Sequence, residues 1–253
     1  MARKAIGIDI GGTGIKGAVV DVRRGDLLSD RVKYATPDGG SPTEIAAVVK
    51  QIIDELPGVS RNAAVGICFP AVVQHGKTMS AANVSKEWIG FDADAYFERV
   101  LGRKVHVLND ADAAGVAEMR FGAGRKRRGL VIMTTLGTGI GTAIFQDGRL
   151  VPNAELGHLE IDGVDYETKA SFAAKERENL DWSAWAERLQ KYYGTLERLF
   201  SPDLIIVGGG VSKNHQEFLP KLSLRADILP AQKRNNAGIL GAAWIAADRH
   251  QED

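Results

Sequence analysis

Two stretches of the chain carry the same alternation of apolar runs and glycine. Ile6 and Ile8 lead into Gly11-Gly12-Thr13-Gly14 and Ala18-Val19-Val20 leads away; Val131 and Ile132 lead into Gly137-Thr138-Gly139 and Ala143-Ile144-Phe145 leads away. The core Gly-Thr-Gly-Ile stands at 12–15 and again at 137–140, and a further glycine follows each copy, Gly25 and Gly148. Apolar, β-branched runs around a glycine turn predict strand, turn, strand. The repeat predicts two related halves. Glycine in such turns is expected to supply positive φ and to let a phosphate approach the main chain.

Between the two hairpins the pattern changes period. Ser41-Pro42-Thr43-Glu44 has the capping-box form, and Ile45, Val48, Val49, Ile52, Ile53 and Leu56 follow at helical spacing, ending near Pro57-Gly58. Val65 to Phe69 predicts a buried strand, followed by a polar loop through Asn83 and Trp88. Asp92 is placed to cap a helix that stops at Gly102; Val105 to Leu108 is the next strand, with Asn109-Asp110 at its end and a helix over 111–121. In the second half, two helices are expected after His158, the second carrying Trp185, Leu189, Tyr192, Leu196 and Leu199 on a core or subunit face. Leu204 to Val207 predicts a strand running into Gly208-Gly209-Gly210, and 238–247 predicts a helix of small residues.

Charge and composition narrow the function. Lys plus Arg and Asp plus Glu both number 32 in 253 residues, so no global field draws the chain to nucleic acid or a membrane, and any polyanion site is local. The one cysteine, Cys68, excludes an internal disulfide and a cysteine-cluster zinc site, and its apolar neighbours predict a buried side chain. No apolar run approaches a membrane span of about 20 residues, and no signal-peptide core is visible, which predicts a cytoplasmic protein. Gly12 to Gly17 also spells G-x-G-x-x-G, but a dinucleotide fold needs a helix there and 16–22 reads as a strand. No Walker-type phosphate loop occurs.

Five motifs in order then resemble the signatures of the ROK family of sugar kinases. They are Asp9-Ile10-Gly11-Gly12-Thr13, Leu108-Asn109-Asp110-Ala111, Leu136-Gly137-Thr138-Gly139, Glu155-Leu156-Gly157-His158 and Val207-Gly208-Gly209-Gly210-Val211-Ser212. Ser80 to Val84 and Pro152 to His158 look most like the polyphosphate glucokinase branch. The resemblance implies an α/β fold of two ribonuclease-H-like, actin-like ATPase domains flanking a central cleft. The expected domains are 1–110, joined by a C-terminal helix at about 240–253, and 111–240. It further implies phosphoryl transfer from inorganic polyphosphate, and from ATP, to the 6-hydroxyl of glucose, in a homodimer. The alternative is an ATP-only kinase for glucose, mannose or an amino sugar. A sugar-sensing repressor would need a helix-turn-helix ahead of the first strand, where about five residues stand, and an actin-like module lacks the Glu155 to His158 segment.

Roles follow by matching positions. Asp110 suits the general base that accepts the hydroxyl proton, although Asp at a strand-to-helix junction also suits an N-cap. Asn83, Glu155, His158 and Glu167 match sugar-holding positions, with the amide of Asn109 beside them. Gly11, Gly12, Thr13, Gly14 and Lys16, with Gly137, Thr138 and Gly139, are expected to cradle donor phosphates, and Gly208, Gly209 and Gly210 to face a nucleotide. Asp9 is the expected Mg²⁺ carboxylate, directly or through water. Many members carry a zinc-binding cysteine cluster after the histidine; this chain lacks it, and no structural zinc is expected. A polyphosphate chain would need local cations, with candidates Lys16, Lys86, Arg125 to Arg128, Lys213 and Lys233-Arg234.

Overall fold

A computed structural model describes residues 3–58, 60–81 and 84–250. The chain forms two compact units, residues 1–117 with 236–253, and residues 118–235. The first opens with β1 (Lys4–Ile10) and β2 (Ile15–Asp21), an antiparallel pair joined by the first glycine turn. β3 (Asp26–Leu27) and β4 (Val32–Tyr34) both pair with β2. Helix α1 (Pro42–Glu55) has the full capping box at Ser41 and Glu44 and buries Ile45, Val49, Ile52 and Ile53. β5 (Val65–Phe69) runs parallel to β1. A small sheet of β6 (Val73–Gln74), β7 (Lys77–Thr78) and β8 (Phe91–Asp92) precedes α2 (Ala93–Leu101), capped by Asp92 and closed by Gly102 at φ 60°. β9 (Val105–Asn109) pairs with β5 in parallel and passes directly into α3 (Asp110–Phe121).

The second unit repeats that topology. β10 (Leu130–Leu136) and β11 (Ile140–Gln146) form the antiparallel hairpin around the second glycine turn, and β12 (Arg149–Val151) extends it. A hairpin of β13 (Glu160–Ile161) and β14 (Val164–Asp165) leads to α4 (Glu167–Ala170), α5 (Phe172–Arg177) and α6 (Trp182–Phe200). β15 (Leu204–Gly208), α7 (His215–Phe218) and β16 (Asp227–Pro230) follow, with β15 parallel to β10 and β16 parallel to β15. The strand orders β3-β2-β1-β5-β9 and β12-β11-β10-β15-β16 coincide. Helix α8 (Ala237–Arg249) then returns to the first unit.

Three expectations change. Trp88, expected in a polar loop, is fully buried, because it fills the gap between Phe69, Phe91 and Phe97 and donates its indole N–H to Gly40 O at 2.9 Å. Three helices rather than two follow His158, since Ser171 stops α4 and caps α5. On α6, Trp185, Leu189, Tyr192 and Leu196 are buried, whereas Leu199 is 58% exposed. No helix among the described residues is long and apolar enough to cross a membrane.

The close seat of α8 comes from glycine on both sides. A Cβ at Gly66 would lie 1.9 Å from Ala242 O, and one at Gly7 would lie 2.0 Å from Ile239 O. On the other flank, a Cβ at Gly241 would lie 1.8 Å from Ala113 O. Replacing Gly66 or Gly241 by Ala is expected to cost at least the roughly 1–3 kcal/mol of an overpacked core. Chemical denaturation of each variant against the parent checks this.

Candidate active site

In the first unit, four strands contribute to one row. Register sets Asp9 of β1 beside Cys68 of β5 and Lys16 of β2, and sets Lys16 beside Lys33 of β4. The Asp9 carboxylate is held from both sides: Lys16 Nζ lies 2.9 Å from Oδ2, and the Cys68 thiol donates to Oδ1 at 3.2 Å. Burial, then the nearby charges of Asp9 and Asp110, push the Cys68 thiol well above its usual range, so it stays a neutral donor. The turn between β1 and β2 closes with Gly11 N–H donating to Gly14 O at 3.0 Å, and Gly12 and Thr13 are exposed.

At the end of β9, Asn109 caps α3. Its Oδ1 accepts the N–H of Ala111 at 2.8 Å and of Asp112 at 3.1 Å, and its Nδ2 donates to Ala71 O at 3.1 Å. Asn109 is buried, and Asp110, the next residue, is exposed. The carboxylate of Asp110 accepts the N–H of Ala111 through Oδ1 at 2.8 Å.

In the second unit, the glycine turn is braced by a carboxylate. Glu167 Oε2 accepts the N–H of Ile140 at 2.7 Å, and a Cβ at Gly139 would fall 2.4 Å from that oxygen. Gly137 O accepts the N–H of Ala173 at 3.0 Å, while Thr138 is exposed. Glu155 and His158 flank a 3-10 turn, Leu156–His158, and both are exposed. His158 Nδ1 pairs with Asp165 Oδ2 at 2.9 Å, and Asp165 Oδ1 accepts the N–H of Glu167 at 3.1 Å. One aspartate thus orients the histidine and starts the helix whose first carboxylate holds the glycine turn. The hydrogen bond that the His158 ring gives to Asp165 is the main cause that raises its pKa, with the charges of Glu167, Asp165 and Glu155 adding to it. Partial desolvation of the carboxyl, with the charge of Glu167, raises that of Glu155.

The model of the ROK family matches residues 5–179. The chain belongs to the ROK family. Among relatives, it is 42% identical over 245 residues to the polyphosphate glucokinase of Mycobacterium tuberculosis, covering 96% of this chain and 91% of that one. The crystal structure of the inorganic polyphosphate/ATP-glucomannokinase from Arthrobacter sp. strain KM is 52% identical, covers 98% of this chain and 99% of that chain, and superposes with a TM-score of 0.92. A ROK family glucokinase from Streptomyces griseus, solved with glucose and AMPPNP, is 28% identical over 97% of this chain and 99% of that chain, with a TM-score of 0.79. The actin-like two-domain fold of ROK kinases is therefore the fold of this chain.

Against the ROK motifs, the structure alters several roles expected from sequence. No glycine of either turn takes a positive φ; space is tight at Gly14, where a Cβ would lie 3.2 Å from Tyr34 O, and at Gly139, whereas Gly137 is open. The amide of Asn109, expected to hold a hydroxyl, has its oxygen on the α3 cap and gives one Nδ2–H to Ala71 O. Glu167, expected to hold sugar, has one carboxylate oxygen on the backbone of the second glycine turn. At the third motif, Gly208 ends β15, Gly209 has a φ of 82°, and Gly210 opens a 3-10 turn. Asn83 lies outside the described residues.

The basic run 125–128 precedes β10, whereas the glycine turn follows it; a strand of seven residues separates them by about 20 Å. Arg127 is also paired with Asp227 at 3.1 Å, at the start of β16. This run is therefore no extension of the second turn. Sequence reading missed Asp165 and Lys33. Asp165 had a signal in the x-Asp-x-Glu spacing to Glu167, typical of a side chain that accepts an N–H two residues on; Lys33 had none before the strand register was known.

His158 is expected to titrate above 6.5, its ordinary value, because the protonated ring gains Asp165 as acceptor and counter-charge. Asp165→Asn should move that titration downward. Imidazole resonances followed against pH in the parent and the variant measure the difference.

Proposed function

We propose that this chain transfers a phosphoryl group from inorganic polyphosphate, and from ATP, to the 6-hydroxyl of glucose. The observation that carries the reading is the division of labour at the end of β9. Asn109 accepts two N–H groups at the start of α3, whereas the exposed carboxylate of Asp110 shares one of them, that of Ala111, through a single oxygen. A kinase acting on an alcohol needs such a carboxylate to orient the hydroxyl and accept its proton as phosphorus is attacked. The 42% identity to a polyphosphate glucokinase and the 52% identity to a polyphosphate/ATP-glucomannokinase support the choice of donor and sugar.

In this reading Glu155 and His158 hold sugar hydroxyls, with Asp165 setting the ring tautomer. The Nδ1–H points to Asp165, which leaves Nε2 as an acceptor for a hydroxyl. The glycine turns at 11–14 and 137–139 bind donor phosphates through main-chain N–H groups. Asp9 fits Mg²⁺ bound through water: a single carboxylate, donor phosphate oxygens and waters make an ordinary Mg²⁺ shell, and both oxygens of Asp9 already accept protein donors. When bound, the ion neutralises charge on the phosphates. Lys16 offsets the charge of Asp9 and stands next to the same turn.

Asp110→Asn keeps shape and removes the proton acceptor, so kcat is expected to fall about 10²- to 10⁴-fold with glucose affinity nearly intact. Steady-state kinetics with calorimetric glucose binding tests it; an unchanged kcat would return Asp110 to a structural role. Glu155→Gln should instead raise the glucose KM, since its partner is held in ground and transition states alike. A donor panel of ATP and polyphosphate, with glucose and with mannose, tests the substrate assignment. Turnover with ATP alone would leave an ATP-dependent hexokinase.

A further inference from the structure

Counted back from the pair that flanks each turn, the two hairpins can be compared position by position. Asp9 opposite Lys16 corresponds to Thr135 opposite Gly141, each pair one step before the pair that flanks the turn. The charged row is thus confined to the first unit. It continues outward onto β4, where Lys33 stands directly opposite Lys16. Like charges facing each other across an antiparallel pair destabilise it. Lys16 is relieved by Asp9 at 2.9 Å, but Lys33 has no ion pair among the described residues.

Lys33 is also aimed. Its Cε lies 2.9 Å, and its Nζ 3.8 Å, from where a Cβ of Gly14 would be, so the chain lies over the glycine turn while the residue stays exposed. Thr36, farther along the same segment, donates its hydroxyl to Gly11 O and pins that segment to the turn. Arg31, likewise exposed, stands two residues before Lys33. A partly covered cation at the turn is followed by an exposed one and then by a third along the edge.

We propose that Lys33, with Arg31 beyond it, forms a ledge for a linear polyanion, which holds the part of a phosphate chain that extends past the first glycine turn. The inference rests on the polyphosphate reading above and adds the side on which the chain leaves: along β4, not along the basic run at 125–128. An anion on the ledge removes the repulsion between Lys33 and Lys16. The ledge gives no advantage to a donor too short to reach it.

The test compares the parent with Lys33→Gln, Lys33→Arg and Arg127→Gln, using long-chain polyphosphate, tripolyphosphate and ATP. Binding of long-chain polyphosphate is read by calorimetry across a salt series, and turnover with glucose is read separately. Lys33→Gln should weaken long-chain binding about two- to fivefold, the range of one exposed ion pair, and flatten its salt dependence by about one cation. ATP and tripolyphosphate should lose clearly less than the long chain, Lys33→Arg should restore binding, and Arg127→Gln should behave as the parent. Unchanged long-chain binding in Lys33→Gln, or an equal loss for ATP and tripolyphosphate, overturns the ledge. A parent that binds long chains without turning them over overturns the donor reading instead, and leaves the ledge supported if Lys33→Gln weakens that binding.

Discussion

Helix α8 rests backbone to backbone on the first sheet, and the row around Asp9 depends on that contact. Strands β1 and β5 carry Asp9 and Cys68, and both expose a glycine, Gly7 and Gly66, to the carbonyls of α8. The approach continues to the head of the helix. A Cβ at Gly238 would lie 2.8 Å from Cys68 Sγ and 2.9 Å from the Asp9 carboxylate. Gly241 admits α3 on the other flank, and α3 begins at Asp110. One helix therefore fixes, through shape alone, the spacing of the three strand ends that bring the carboxylates forward.

Shape then sets chemistry. Because α8 covers Cys68, its thiol is fully buried and stays protonated, and a protonated thiol can give Asp9 a hydrogen bond where a thiolate would repel it. Lys16 supplies the opposite charge from the solvent side. Asp9 thus meets one neutral donor and one cation in a partly exposed site rather than a dry ion pair. In the second unit the corresponding position is Thr135, and a carboxylate from a later helix, Glu167, serves the glycine turn instead. The duplicated fold has thus been charged differently in its two copies.

Much of this was legible before any coordinates. The duplicated glycine turn, the capping box of α1, the cap at Asp92 and the order of buried strands are local patterns, and local patterns survive folding. The family motifs also singled out the two glycine turns and the Asn109-Asp110 junction. What escaped was nonlocal. Trp88 looked polar by its neighbours and is buried against Phe69 and Gly40, 19 and 48 positions away. Asn109 and Asp110 were separable as cap and carboxylate only once the start of α3 was known. The run 125–128 looked close to the second turn in sequence, yet β10 carries the chain to the other end of the sheet in between. Lys33 was invisible because an antiparallel register, not a motif, sets it against Lys16.

The path of the chain through α8 has a consequence for biosynthesis. Residues 118–235 are translated between α3 and α8, so the sheet of the first unit waits with its glycine-lined face uncovered while the second unit is made. At ordinary elongation speeds that interval is on the order of ten seconds, long compared with the collapse of a small domain. During it the apolar strands β1 and β5 lack their covering helix, and a nascent chain halted before residue 237 would keep them so. The unit that carries Asp9 and Asp110 is translated first and completed last.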